Sequence, residues 1–170
     1  RFETRHRLLF LICLSLSILN LVFIPAYTAL ERRDVFFWTQ IASCCVNTFY
    51  ALNLHFHLDL VIRRKLKLHE ALCLYLPPLV IISVFAISPL SVLDYVLFDD
   101  EWKLVPNYSS FWFYAAAGYV VLYVIATLSA IVVFRRNAVL NKEKSQAKLL
   151  VANPALSTTV CAVGIWIVPF

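Results

Sequence analysis

The chain has 170 residues, 62% of them hydrophobic and 15% charged, with a mean hydropathy of +0.79 and a formal net charge of +5. Water-soluble domains hold about 45–50% apolar and about 25% charged residues, so a bilayer is the main solvent here. The apolar residues gather in blocks of membrane length, which leaves too little chain for a separate catalytic domain, a DNA reader or a disulfide scaffold.

Five apolar segments predict transmembrane helices over residues 8–30, 36–62, 72–98, 111–134 and 149–170. The expected fold class is all-α: an integral membrane helical bundle of five transmembrane helices, forming one domain over residues 1–170. Continuous apolar runs favour helices, which satisfy their backbone within one segment, over barrel strands with about ten-residue alternation. The first segment follows Arg1, Arg5 and Arg7 as the apolar part of a signal peptide does, but it is too long and ends without a small-residue cleavage site. It reads as a span. The second is the richest in polar residues. At about 100° per residue, Gln40, Cys44, Asn47 and Ala51 share a stripe with His55 at its edge. The third carries Pro77, Pro78 and Pro89, and because proline removes a donor and clashes with the preceding turn, bends are expected there, with Pro89 as the hinge. Asp94, Asp99, Asp100 and Glu101 then form an acidic loop. In the fourth, Tyr119, Tyr123, Thr127 and Ala130 align; in the fifth, Asn153, Ser157 and Gly164 do. The chain has no methionine and ends at Pro169 and Phe170 inside an apolar run, which reads as an excerpt of a longer protein.

Orientation follows from the basic residues. Twelve of the fifteen fall on one side: Arg1, Arg5 and Arg7; Arg63, Arg64, Lys65 and Lys67; and Arg135, Arg136, Lys142, Lys144 and Lys148. Arg32, Arg33 and Lys103 make up the other side. Positive loops stay inside, so the N-terminus is expected to be cytoplasmic and the acidic loop outside, in the inner (plasma) membrane. Trp38, Trp102, Tyr108 and Trp112 lie near the outer boundary, where amphipathic rings favour the headgroup layer.

Chemistry-bearing patterns are sparse. Cys13, Cys44, Cys45, Cys73 and Cys161 fall within or at the ends of apolar runs without CxxC spacing, so they suggest packing rather than zinc or disulfides. His55 and His57 form an HxH with Asp59 nearby. Positions two apart on a helix point about 200° away from each other, so the two imidazoles cannot share one metal ion, whereas His55 and Asp59 share a face and are expected to pair. There is no GxSxG, and all six lysines lie in loops, which excludes a retinal Schiff base within a span. The segment is therefore expected to be non-catalytic, with no cofactor, no metal and no nucleic-acid partner. Its short basic loops suit anionic lipid headgroups better. A small-molecule ligand site is expected in the outer half of the bundle, where Gln40, Asn47, Tyr119 and Trp166 come to similar depth.

Residues 36–65, FFWTQIASCCVNTFYALNLHFHLDLVIRRK, resemble the N-terminal seven-helix sensor region of bacterial histidine kinases, through Phe37 and Trp38, then Leu54, His55 and Phe56, then the basic turn at Arg63 and Arg64. The LYLPPL sequence from Leu74 to Leu79 is similar to the start of that family's next helix, and Gln146 before Leu149 and Leu150 to its return into the membrane. The resemblance implies helices two to six of a seven-helix module, entering inside and leaving outside, as the basic residues also indicate. It further implies a sensor that passes a signal to a cytoplasmic output domain in the same chain, a histidine kinase, with dimerisation through that domain. The competing reading is a piece of a small-solute transporter or channel, which needs broken helices and charged or polar groups at the membrane midplane. The prolines allow this, but no charge lies in mid-span.

Overall fold

A computed structural model describes residues 2–28, 31–62, 66–88, 90, 93–98 and 101–137. The described chain forms α1 (Phe2–Thr28), α2 (Arg32–Ile62), α3 (Leu68–Ile87), a hairpin of β1 (Leu93–Phe98) and β2 (Glu101–Pro106), and α4 (Phe111–Asn137). All four helices are long and apolar enough to cross a membrane, the make-up of a multi-pass membrane protein. The expected fifth span, residues 149–170, lies outside the described residues, as do Pro89 and Trp166.

The helices run further than their apolar segments. α1 begins at Phe2 and takes Arg5 and Arg7 into its first turns, α2 begins at Arg32, and α4 continues through Arg135 and Arg136. Charge places the α4 end well, since cations stabilise the negative end of the helix dipole. At the start of α3, Glu70 Oε2 accepts from the Lys67 backbone N–H at 2.7 Å, which satisfies a donor that the helix leaves unpaired.

The third span is shorter than expected. The apolar run from residue 72 to 98 divides into a helix ending at Ile87 and a strand over Leu93–Phe98. Ser88 precedes Pro89, whose ring disfavours the helical region for its neighbour, and Ser88 sits at φ −145°, ψ 70°. At about 1.5 Å per residue the 20 residues of α3 still reach about 30 Å, the thickness of the hydrocarbon core. The freed residues Leu-Asp-Tyr-Val-Leu-Phe are rich in β-formers and pair antiparallel with β2, from Leu93 opposite Pro106 to Phe98 opposite Glu101. The all-α expectation therefore needs a two-stranded hairpin added between α3 and α4. Asn107 ties the far end of this hairpin down, its Nδ2 donating to the Leu90 carbonyl at 2.8 Å.

α2 is the axis of the assembly. It buries 44% of its membrane-length window against 22% for α1, 22% for α3 and 33% for α4. Arg5 of α1 meets Asp59 of α2, and Leu19 and Val22 pack with Ala42, so these helices run antiparallel. Gln40 reaches Phe85 while His55 reaches Tyr75, so α3 is also antiparallel to α2. Tyr119 lies on Asn47, and Phe134 lines a cavity with Val61, so α4 runs alongside α2 in the same direction. The start of α1, the end of α2, the start of α3 and the end of α4 consequently share one end, which gathers Arg5, Arg7, Lys67, Arg135 and Arg136. Phe10, Leu21, Ile24, Leu79, Leu122 and Val121 are exposed on the outside, an apolar surface suited to lipid.

Candidate functional site

The polar residues that sequence pattern assigns to helix faces meet mainly along α2. Gln40 Nε2 donates to the carbonyls of Phe85 at 3.1 Å and Ala86 at 3.2 Å, in the last turn of α3. Proline chemistry explains the match: in a helix the Phe85 carbonyl takes its bond from residue 89, and Pro89 has no N–H. Ser88 N–H, the neighbouring donor, goes instead to Val84 O at 2.8 Å. Gln40 thus supplies from α2 the hydrogen that α3 lacks.

A second proline site is closed in the same way. The Leu74 carbonyl is four residues before Pro78 and three before Pro77, so neither the α-helical nor the tighter 3₁₀ donor exists. Tyr123 of α4 donates its hydroxyl to this carbonyl. One turn earlier on α4, Tyr119 donates to the Asn47 backbone oxygen at 3.0 Å, and the two tyrosine rings lie 4.3 Å apart. The amide of Asn47 stays within α2, donating to Ser43 O at 2.7 Å and Ser43 Oγ at 3.2 Å.

The expected ligand residues therefore separate into two places. Asn47 and Tyr119 come together at the α2–α4 seam, whereas Gln40 lies at the end of α3. Their donors are engaged with backbone or neighbouring hydroxyl oxygens. A cavity of about 410 Å³ forms a groove along α3, lined by Leu76, Leu79, Val80, Ser83, Ile87 and Trp112 of α4 among others, and not by these three.

The expected His55–Asp59 pair is replaced by two other partnerships. His55 Nδ1 shares a 2.6 Å hydrogen bond with the Tyr75 hydroxyl of α3. Asp59 Oδ2 accepts from Arg5 Nε of α1 at 2.7 Å, and Arg5 Nη2 donates at 3.1 Å to the Asp59 backbone oxygen. Although the two residues share one side of α2, α3 draws His55 one way and α1 draws Asp59 the other. A guanidinium fits Asp59 better because it answers both the carboxylate and a carbonyl in the last turn of the helix, where cations are favoured.

Sequence pattern missed Arg5, Tyr75 and Tyr123 as partners, along with one buried pair. His57 and Asn53, a turn apart on α2, are 1% and 3% exposed. His57 Nδ1 contacts the Asn53 backbone oxygen at 2.7 Å. His57 Nε2 and Asn53 Oδ1 are buried with no hydrogen-bond partner among the described residues. The available signal was the spacing of two polar residues four apart in an otherwise apolar helix, a pattern that also fits lipid-facing or simple packing positions.

Comparison with protein-family models, with curated proteins and with solved structures finds no match.

Proposed function

We propose that this chain is a transmembrane sensing module that relays an extracytoplasmic or membrane-borne signal to a cytoplasmic histidine-kinase output, as its resemblance to the seven-helix sensor region suggests. The observation that carries the proposal is the attachment of α3. This helix buries Leu74, Pro78, Ile81 and Phe85, whereas α2 buries twelve residues. Among its other ties are the Gln40, Tyr123 and His55 hydrogen bonds, two of them made to carbonyls that proline frees. Few buried side chains and replaceable polar bonds make a helix that shifts at low cost, the kind of element a relay needs. The five basic residues gathered at one end support a cytoplasmic placement of that end. A ligand acts in this scheme by competing for the donor of Gln40 or Tyr119.

The deciding experiment has two parts. Sequencing of the coding region beyond residue 170 is expected to show one further span and then a phosphoacceptor-histidine and ATP-binding region. A run of additional spans with no output region would turn the reading toward a transporter. In the full-length receptor, Pro89→Ala restores an N–H to Phe85 and is expected to change basal kinase output at normal membrane abundance. Unaltered basal and stimulated output would reject α3 as the moving part.

A further inference from the structure

Two acceptors on one face of α2 stand without a donor. A carbonyl oxygen only accepts, so the 2.7 Å contact between His57 Nδ1 and the Asn53 backbone oxygen places the ring hydrogen on Nδ1. In the neutral ring Nε2 is then a lone pair. That lone pair and Asn53 Oδ1 are buried, and no group among the described residues donates to either. Buried polar atoms almost always have a partner, and two acceptors together both call for hydrogen.

A cavity lies one turn further along this face. Leu60 and Val61 follow His57 by three and four positions, so they flank the same face one turn closer to the end of α2. With Phe134 and Asn137 of α4 they line a cavity of about 250 Å³ at the basic end of the bundle. A water occupies about 30 Å³. Among the described residues, Arg5 of α1 is engaged with Asp59, Tyr75 of α3 with His55, and Tyr119 and Tyr123 of α4 with carbonyls of α2 and α3, while Tyr50 is buried on the same side of α2. Arg135 and Arg136 are exposed at the end of α4.

We propose that His57 Nε2 and Asn53 Oδ1 form a binding site for one small hydrogen-bond donor, admitted from the basic end through this cavity. The shared chemistry is a hydrogen placed between the two acceptors, and it has two sources. A water donates one hydrogen to each. A proton taken up at Nε2 turns that lone pair into a donor and leaves Nδ1–H on the Asn53 carbonyl.

Phe56–His57 is the sole Phe–His sequence in the chain. Carbonyl-¹³C phenylalanine with ¹⁵N histidine therefore identifies His57 by NMR in the whole chain in lipid nanodiscs without a mutation. At neutral pH the expected result is an Nδ1–H ring whose Nε2 accepts a hydrogen bond and receives magnetisation from water, which assigns the water. An imidazolium signal growing as the pH falls assigns the proton. Asn53→Leu is expected to abolish whichever signal is seen. An Nε2–H ring, a Nε2 without any hydrogen bond across the accessible pH range, or an Asn53→Leu spectrum identical to the parent would each overturn the site.

Discussion

Removing the Tyr123 hydroxyl tests whether proline creates the demand that this side chain meets. Tyr123→Phe leaves ring packing in place and deletes the donor to Leu74 O. Interhelical hydrogen bonds in membranes average about 0.6 kcal/mol, with about 1.7 at the upper end, because the separated helices find substitute partners. Leu74 O has fewer substitutes than usual: Pro77 and Pro78 remove both backbone donors in reach, and Leu74 is buried. The cost is therefore expected near the upper end, about 1–2 kcal/mol, within the range for a buried carbonyl left unpaired. Pro78→Ala returns an N–H four residues after Leu74. In that background Tyr123→Phe should cost under about 0.5 kcal/mol, since the carbonyl regains an intrahelical bond. A double-mutant cycle read by steric trapping or denaturant unfolding in bicelles measures both steps. Equal costs in the two backgrounds would show that the hydroxyl contributes independently of the proline, and the explanation would fail.

Gln40→Leu should cost less than Tyr123→Phe, under about 1 kcal/mol by the same unfolding assay, because the Ala86 carbonyl it serves is at the exposed end of α3 where water can replace it. Arg5→Met should destabilise the bundle more than Arg5→Met combined with Asp59→Asn, since the single change leaves a carboxylate at 8% exposure without its cation; equal melting temperatures for the two would refute the pairing. In a background lacking native cysteines, Lys103→Cys is expected to react with an impermeant thiol reagent in intact cells and Arg136→Cys only after permeabilisation; the reverse pattern overturns the orientation.

Helix positions along the chain were legible because lipid demands long apolar runs, and four of the five expected spans coincide with helices among the described residues. The tail of the third was not. Leu93–Phe98 is as apolar as a helix continuation, and hydropathy alone does not register that Ser88 is forced out of helical geometry by the proline after it. Face assignments on α4 were legible as well: Tyr119, Tyr123, Thr127 and Ala130 are all buried, as helical periodicity requires. Partner choice was not. His55 and Asp59 satisfy every intrahelical spacing rule for a pair, yet the partners come from Tyr75 and Arg5, 20 and 54 residues away. Spacing rules describe one helix at a time, while the winner is set by which neighbour brings the better donor to the same depth.

The same distinction explains why the least apolar helix lies at the centre. In water, apolar side chains drive a helix inward; in hydrocarbon they have no preference between lipid and protein, and polar groups supply the directional pull. α2 carries Gln40, Asn47, Asn53, His55, His57 and Asp59, and it is the helix that the other three pack against. Hydroxyls elsewhere are satisfied locally, as Ser15 is by Leu11 O at 2.9 Å and Ser83 by Leu79 O at 2.8 Å, so α1 and α3 can remain open to lipid on their outer faces. The longer side chains cannot all be served within their own turn. Gln40 and His55 reach α3 and Asp59 holds α1, while Tyr119 and Tyr123 bind α4 to carbonyls of both inner neighbours. The Gln40 bond to the exposed Ala86 carbonyl can pass to water with little change in packing, whereas the apolar cluster around Phe49 and Tyr50 cannot move without opening a void. If the chain relays a signal as proposed, α2 is the fixed reference and α3, with few buried side chains, is the helix expected to move.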